Sequence, residues 1–357
     1  SLATNTTGFQ NTALGKNALM SNTTAANNTA IGEDALTSNT TGTYNVAVGG
    51  AALDANTTAN NNTAVGYAAL GANTSGTGNS GLGQNSLFSN TTGNYNTSVG
   101  QGSLQLNTTG SNNTAFGQAS LGSNTTANNN TAVGKSALAS NTTGGNNTAC
   151  GDQALELNTT GTTNAAFGAE ALEANTTGSD NTAVGHAALH ANTTADNNTA
   201  VGLYALLTNT TGAQNTSVGK GSMQNNTTGG DNCAFGFSAL QGTNTGSGRN
   251  NAFGYEALQD ITTGTQNQAM GFQAGANLTT GSYNQIMGAE AMENSTTANY
   301  CVAIGHDTLR QNNADNNVAV GYQSLASNTT GADNVAVGHG TLDANTTGTY
   351  NVAVGKG

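Results

Sequence analysis

Small apolar, large apolar and polar residues follow one another along the chain with a period of seventeen residues. A glycine preceded by a small and a large apolar residue recurs at this spacing from Gly15 to Gly236. It continues to Gly355, with one longer step before Gly254 and one shorter step before Gly321, each by a single residue. Twenty-one such units account for the full length of 357. This period predicts a repeat architecture, and we number each unit by its consensus, N-T-A-V-G-x-x-A-L-x-x-N-T-T-G-x-x, from position 1 to position 17.

Two positions of the unit carry large apolar residues almost throughout. Position 4 is apolar in all 21 units, and position 9 is Leu or Met everywhere except at Gly275. Two apolar side chains offset only a small part of the entropy lost in ordering a whole unit, so each unit must stack on its neighbours. The unit is shorter than a helical repeat, and its Asn, Gly and β-branched residues disfavour helix. The predicted fold is all-β: a single elongated parallel β-solenoid, or β-roll, of 21 coils, one for each unit. We expect it to form one continuous repeat domain over residues 1–357.

The alternation of side chains along a strand suggests which residues face inward. Positions 1 to 4 are predicted to form a first strand, with the large residue at position 4 inside the coil and position 3 outside. Positions 8 and 9 are predicted to form a second short strand, and the glycine at position 5 a corner with positive φ. The core would then consist of positions 4 and 9, so that replacing Val133 or Leu138 with Asp should unravel the coil. Small outward residues at position 3 would form a flat face, either approached by another surface or merely tolerated on a narrow coil: Ala13, Ala30, Ala47 and Ala64.

Asparagine dominates positions 1 and 12. Position 12 is Asn in 18 of 21 units, the exceptions being Ile261, Leu278 and Ser295. Position 1 is Asn in 20 units, the exception being Cys301. Identical amides in stacked coils can form ladders, in which each side chain donates to one neighbour and accepts from the other. These residues are therefore expected to serve the fold.

Asn-Thr-Thr at position 12 also matches the N-glycosylation pattern, as at Asn22, Asn39 and Asn56. An inward Asn cannot carry a glycan. We therefore interpret the pattern as an accident of adjacent Asn and Thr ladders.

The two departures from the period both fall in the Asn-Thr-Thr-Gly arm. The extra residue lies within residues 241–248, and the missing one near residues 312–315. A turn can absorb such changes while the strands keep their register. We therefore expect no shift of the strands at Phe253 or Val320.

The charged residues predict a soluble surface and no chemical site. The net charge is −12, and the acidic residues fall mainly at the variable positions, which suggests solvated corners, as at Glu33, Asp34, Asp54, Glu156, Asp180 and Asp231. His186 and His190 occupy positions 6 and 10 of one coil and are interpreted as surface residues in preference to a metal pair. We expect no enzyme activity and no catalytic, cofactor-binding or metal site.

The cysteines and the remaining composition exclude several other classes. Cys150, Cys233 and Cys301 lie at different positions of coils about four or five steps apart, too far for a disulfide within one chain. Six Lys and Arg residues without a basic run disfavour nucleic acid. No apolar stretch approaches the roughly 18 residues of a membrane span, which disfavours membrane insertion.

A known family shows a similar motif. Val46-Ala47-Val48-Gly49 and Val302-Ala303-Ile304-Gly305, with further copies at residues 335–338 and 352–355, resemble the S-V-A-I-G-x-x-S repeat of YadA-like head domains in trimeric autotransporter adhesins. The unit is also similar to N-T-A-V-G-x-x-A-L arrays of some phage tail-fibre and bacterial surface proteins. The resemblance covers the whole chain and implies a left-handed parallel β-roll, extracellular display and, in the adhesins, a homotrimer. The coil here is longer by the Asn-Thr-Thr-Gly arm, and no ligand-binding residue is carried over.

The function expected from the sequence is structural. We expect an extracellular or cell-surface protein that forms a fibre or appendage shaft by coil-on-coil, head-to-tail stacking. Leu2 and Val354 would then be ordinary core residues, and Asn5 and Asn351 ordinary ladder residues, at uncapped ends. The expected partner is a further copy of the chain, with lateral or trimeric association left open.

Two other functions remain open. One is an adhesin or phage tail-fibre receptor-binding module, which would recognise a host or surface glycan or a matrix ligand through its variable corners. The other is an ice-binding solenoid with threonine columns at positions 13 and 14, although adjacent threonines on a straight strand would face opposite sides.

Overall fold

A computed structural model describes residues 1–245 and 248–357. The chain divides into two compact units, Ser1–Asp180 and Asn181–Gly357. Each unit is a parallel β-solenoid with one three-residue strand per coil, at positions 2 to 4. The predicted fold class is therefore confirmed, and so is a coil that spans one repeat of the sequence. Left-handedness and the continuity of one domain over the whole chain stay predictions.

The strands of the first unit are β1 Thr12–Leu14, β2 Thr29–Ile31, β3 Val46–Val48, β4 Thr63–Val65, β5 Ser80–Leu82, β6 Thr97–Val99, β7 Thr114–Phe116, β8 Thr131–Val133, β9 Thr148–Cys150 and β10 Ala165–Phe167. Those of the second unit are β11 Thr182–Val184, β12 Thr199–Val201, β13 Thr216–Val218, β14 Cys233–Phe235, β15 Asn251–Phe253, β16 Gln268–Met270, β17 Gln285–Met287, β18 Val302–Ile304, β19 Val318–Val320, β20 Val335–Val337 and β21 Val352–Val354.

Within each unit, every strand pairs in parallel with the next strand along the chain. The register is retained across both off-period steps, since Phe235 pairs with Phe253 and Ile304 pairs with Val320. The expectation for Phe253 and Val320 is confirmed. In the short coil, the carboxylate of Asp315 accepts hydrogen bonds from the backbone N–H of Asn299 at 2.8 Å and from its side-chain amide at 3.1 Å. In the long coil, Gly246 and Ser247 lie outside the described residues.

The orientation of the strand is the reverse of the expectation. Position 3 faces the interior, and Ala13, expected outside, is half-buried while Ala30, Ala47 and Ala64 are fully buried. Position 4 faces outward, so that Val133 is 37% exposed and Val354, expected in the core, is 77% exposed. Serine at position 3 confirms this direction, because the Ser98 hydroxyl donates across the interior to the carbonyl of Ser103 at 2.9 Å. So short a coil is too narrow for a large side chain at position 3, and alternation then places positions 2 and 4 outside.

The interior of a coil is closed by positions 8 and 9. Ala137 and Leu138 are fully buried, as expected for position 9. These positions form no second strand, because Leu138 has φ of 53° and lies in a run of turns. A leucine with positive φ is uncommon, and here the conformation turns the chain so that the side chain fills the centre of the coil. The predicted positive φ at position 5 is confirmed, for example at Gly134 with φ of 134°.

Neighbouring coils are joined by backbone hydrogen bonds along most of their circumference. From the coil that begins at Asn28, the N–H groups of Thr29, Leu36 and Thr40 donate to carbonyls of the following coil at 2.9 to 3.0 Å. The N–H of Gly32 donates in the opposite direction, to the carbonyl of Leu14 at 2.8 Å. The same pattern recurs coil after coil. It provides partners for backbone groups that a three-residue strand alone would leave unpaired.

The two asparagine columns continue this bonding inside the coil. At position 12, Asn56 donates to the side-chain oxygen of Asn39 at 2.9 Å, so the predicted amide ladder is confirmed. At position 1 the ladder differs, because the side-chain oxygen of Asn28 accepts from the backbone N–H of Asn45 at 2.9 Å. Asn28 and Asn39 both donate their amide hydrogens to the carbonyl of Gly42, at 2.8 and 2.9 Å. This coil is thereby closed across its interior by two amides that meet at one carbonyl, and the arrangement recurs in other regular coils, as at the carbonyl of Gly93.

The corrected orientation separates two residues that the sequence pattern treats alike. Leu138→Asp places a carboxylate among buried side chains and should lower the free energy of unfolding by at least about 3 kcal/mol. Val133→Asp points into solvent and should cost less than about 1 kcal/mol. Thermal unfolding followed by circular dichroism compares the two variants, with Val133→Thr as a control. Equal losses in the two Asp variants would contradict the orientation.

Candidate functional site

The outward side chains of positions 2 and 4 form what we term the strand face. Neither position carries a charged residue in any of the 21 units. Position 2 is mostly Thr or Val, and position 4 is always apolar. The most exposed apolar residues at position 4 in the interior coils are Leu82, Phe116, Phe167, Met270 and Met287. The face is therefore an exposed apolar column beside a column of smaller, mostly β-branched residues.

One stretch of the second unit departs from the repeat. In this irregular segment, residues 250–301, position 2 changes from Thr to Asn251, Gln268 and Gln285. Position 4 carries Phe253, Met270 and Met287, which are exposed beside them. The longer side chains enclose a groove of about 380 Å³ on the strand face, with amides on one side and apolar groups on the other.

The interior of the irregular segment changes at the same place. Ile261 and Leu278 replace asparagine at position 12 and are fully buried. Gly275 replaces leucine at position 9, and Ile286 replaces alanine at position 3. A Cβ atom at Gly275 would lie 2.8 Å from Cδ1 of Ile286, which shows that the isoleucine fills the volume that leucine occupies elsewhere. Inner and outer substitutions thus coincide in the same coils.

Aromatic side chains form columns beside this segment. Phe237, Tyr255 and Phe272, all at position 6, stack with ring centroids 5.1 and 5.3 Å apart. On the strand face, Phe235 and Phe253 stack at 5.1 Å. Because each ring lies face to face with a ring of the next coil, the columns present mainly ring edges to solvent. Such edges suit apolar contacts better than the stacking of a sugar on an open ring face.

The histidines and charged groups have local partners. His186 is exposed, as expected, and its ring lies edge to face with Tyr204 at 5.7 Å, whereas His190 is half-buried. Most of the acidic residues expected at corners are exposed or half-buried; Asp307 is an exception, nearly buried beside Arg310. The Arg310 guanidinium also contacts Glu293 at 2.7 Å. The absence of catalytic, cofactor and metal sites stays a prediction.

The cysteine thiols are free, and their environments differ. Cys150 is exposed at position 4 of the strand face, and Cys233 is half-buried at position 2, where burial raises the pKa of its thiol. Cys301 is fully buried in place of an asparagine, and burial raises the pKa of its thiol to about 11. Its Sγ donates to the carbonyls of Asn299 and Ala314, each at 3.4 Å, so it serves the interior in the way the replaced amide does.

The threonine arm is structural for the most part. The asparagines of its glycosylation-like tripeptides, such as Asn22, Asn39 and Asn56, are fully buried, as the sequence predicts. At position 13, the hydroxyl of Thr40 donates to the carbonyl of Thr57 at 3.1 Å. One of the two threonine columns considered for ice binding is therefore engaged in bonds between coils.

Comparison with protein-family models and with curated proteins finds no match for the chain. Among the described residues, no helix has the length and apolar character needed to cross a membrane. The resemblance to YadA-like heads stays a prediction.

The exchange between Gly275 and Ile286 predicts a compensating pair. Gly275→Leu alone should clash with Ile286, and Ile286→Ala alone should leave a cavity that costs about 2 to 3 kcal/mol. The double variant restores the consensus residues and should unfold within about 1 kcal/mol of the parent. Urea unfolding of the parent, the two single variants and the double variant should give a coupling free energy of at least about 2 kcal/mol between the two positions. Additive losses would show that the two side chains do not share one volume.

Proposed function

We propose that this chain is an extracellular structural protein that builds a fibre or surface shaft by stacking coil on coil, end to end. The observation that supports the proposal is the repeated bonding between coils within each unit: the same backbone groups join one coil to the next, and the asparagine ladders add to them wherever the asparagines are kept. One edge of a regular coil is consequently complementary to the opposite edge of any other regular coil.

A free end of such a stack has the properties of an open sheet edge. It exposes N–H and C=O groups that pair readily with another chain, together with the ends of two amide ladders. Natural sheets protect such edges with proline, charge or a covering element. In this chain Val352 of β21 shows the geometry directly. The N–H at position 2 of each coil donates toward the following coil, as from Val335 to the carbonyl of Asn351 at 2.8 Å, so the N–H of Val352 is directed away from β20.

Val352→Pro tests end-to-end stacking with little effect on the folded chain. Proline removes a donor directed off the stack, and the outer edge of a sheet tolerates it. Negative-stain electron microscopy and sedimentation should show filaments for the parent chain and short species for Val352→Pro, with unchanged circular dichroism. Val352→Thr restores the consensus residue and should form filaments like the parent. Filaments of undiminished length in Val352→Pro, or none in the parent, would refute the proposal.

The groove of the irregular segment favours one alternative, a receptor-binding module. In that case recognition would reside in Met270, Met287 and the adjacent glutamines. The parent chain would then bind to a glycan array or to immobilised matrix proteins, and Met270→Lys would weaken this binding at least about tenfold. Val201→Lys, on the regular part of the same face, would bind like the parent. Equal retention of the two variants would exclude the groove as the site.

A further inference from the structure

We propose that the strand face is covered by the strand face of a second copy of this chain, so that two chains pair side by side. The inference deepens the proposed structural function by naming a lateral partner, and it does not require end-to-end stacking. It begins from the corrected orientation of position 4, which exposes a large apolar residue in each coil. A contiguous apolar surface beyond a few hundred Å² is unusual on a monomer and marks an interaction surface.

The distribution of charge identifies which partner fits. The chain carries a net charge of −12, yet positions 2 and 4 contain no Asp, Glu, Lys or Arg in any unit. The acidic residues lie at other positions, which limits repulsion when two strand faces meet. Two such faces can therefore come together without burying an unpaired charge, whereas other sides of two acidic chains would repel.

The spacing of the face also favours a second copy. Outward side chains repeat at about 4.8 Å along each unit, the distance between neighbouring strands. A partner with a different repeat would match only a few coils before its contacts fell out of step. Another chain of the same kind keeps the same spacing for as long as the two faces overlap.

The available area is sufficient for a stable pair. Two columns of side chains cover a width of about 10 Å, which with the strand spacing gives about 50 Å² per coil. The ten strands of the first unit would contribute about 500 Å² per chain, and the eleven of the second unit, taken by itself, about 550 Å². A standard protein interface buries about 800 Å² per partner. Contact through one unit alone would bury about 1,000 Å² counted over both chains, which is the size that a specific interface should reach.

The stoichiometry follows from contact between identical faces. Contact between identical faces is isologous and closes at two chains, whereas a ring of three requires two different contact surfaces on each chain. The expected lateral assembly is therefore a dimer.

Analytical ultracentrifugation tests the pairing in the Val352→Pro background, where end-to-end growth is blocked, with reductant present because the Cys150 thiol is exposed on the face. The expected mass is twice the 35.2 kDa of one chain. Phe116→Lys combined with Phe235→Lys places one charge on the strand face of each unit and should weaken dimerisation at least about 100-fold. Tyr44→Lys combined with Tyr350→Lys adds the same charge at two exposed side chains of position 17, off the strand face, and should leave the dimer intact.

The outcomes are separable from those of the fibre proposal. Dimers of the Val352→Pro chain would support the lateral pair whether or not the parent chain forms filaments, and the parent chain alone decides the end-to-end proposal. A monomer at about 100 μM, a trimer, or equal effects of the two lysine pairs would overturn the lateral pair. Phe116→Ser combined with Phe235→Ser repeats the test without added charge, and circular dichroism confirms that each variant is folded.

Discussion

The structure depends on the narrowness of its coil. One repeat with a single three-residue strand encloses a space that admits alanine at positions 3 and 8, one leucine and two asparagines. So little apolar volume cannot stabilise the coil by burial alone. Hydrogen bonds between coils must supply much of the cohesion, and the two amides that meet at the position 15 carbonyl extend that bonding to the interior. An unpaired buried amide would cost about 1 to 3 kcal/mol, and the ladders avoid this cost in most interior coils that keep the amide. Asn226, just before the long coil, is an exception, because its side-chain oxygen is buried without a partner.

The same narrowness explains where the fold could be predicted from the sequence and where it could not. The period, the parallel stacking, the glycine corner and the position 12 ladder follow from regularities that few other structures would produce. Which side of the strand faces the interior could not be predicted in this way. Hydrophobicity favours Val133 as the core residue, whereas small size favours Ala132. Only the small width of the coil decides between them, since the space opposite Ala137 and Leu138 admits Ala132 and is too small for a valine. The sequence did contain the information, because position 3 is almost always a small residue. In a narrow coil this restriction is a better indicator of the interior than the apolar character of position 4.

The candidate site was missed for a related reason. Each departure in the irregular segment is ordinary by itself: glutamine for threonine at Gln268, leucine for asparagine at Leu278, glycine for leucine at Gly275. Their meaning lies in their coincidence over successive coils, which a search for exceptions to the repeat could have found. The compensation between Gly275 and Ile286 could not have been found in this way, because the two positions are eleven residues apart and meet only when the coil is closed.

The two proposed modes of association draw on different forces. Contacts between coil edges are polar and directional, so they specify the position of the next chain but gain little until many bonds form together. Contacts between strand faces are apolar and gain stability in proportion to overlap. A fibre held only by its ends would break wherever one set of edge bonds opened. If two chains pair side by side with their ends staggered, each end joint lies beside an unbroken stretch of the neighbouring chain, and both sets of contacts must open together. The uncharged strand face thus offers an acidic chain a way to reinforce the joints that its narrow coils form.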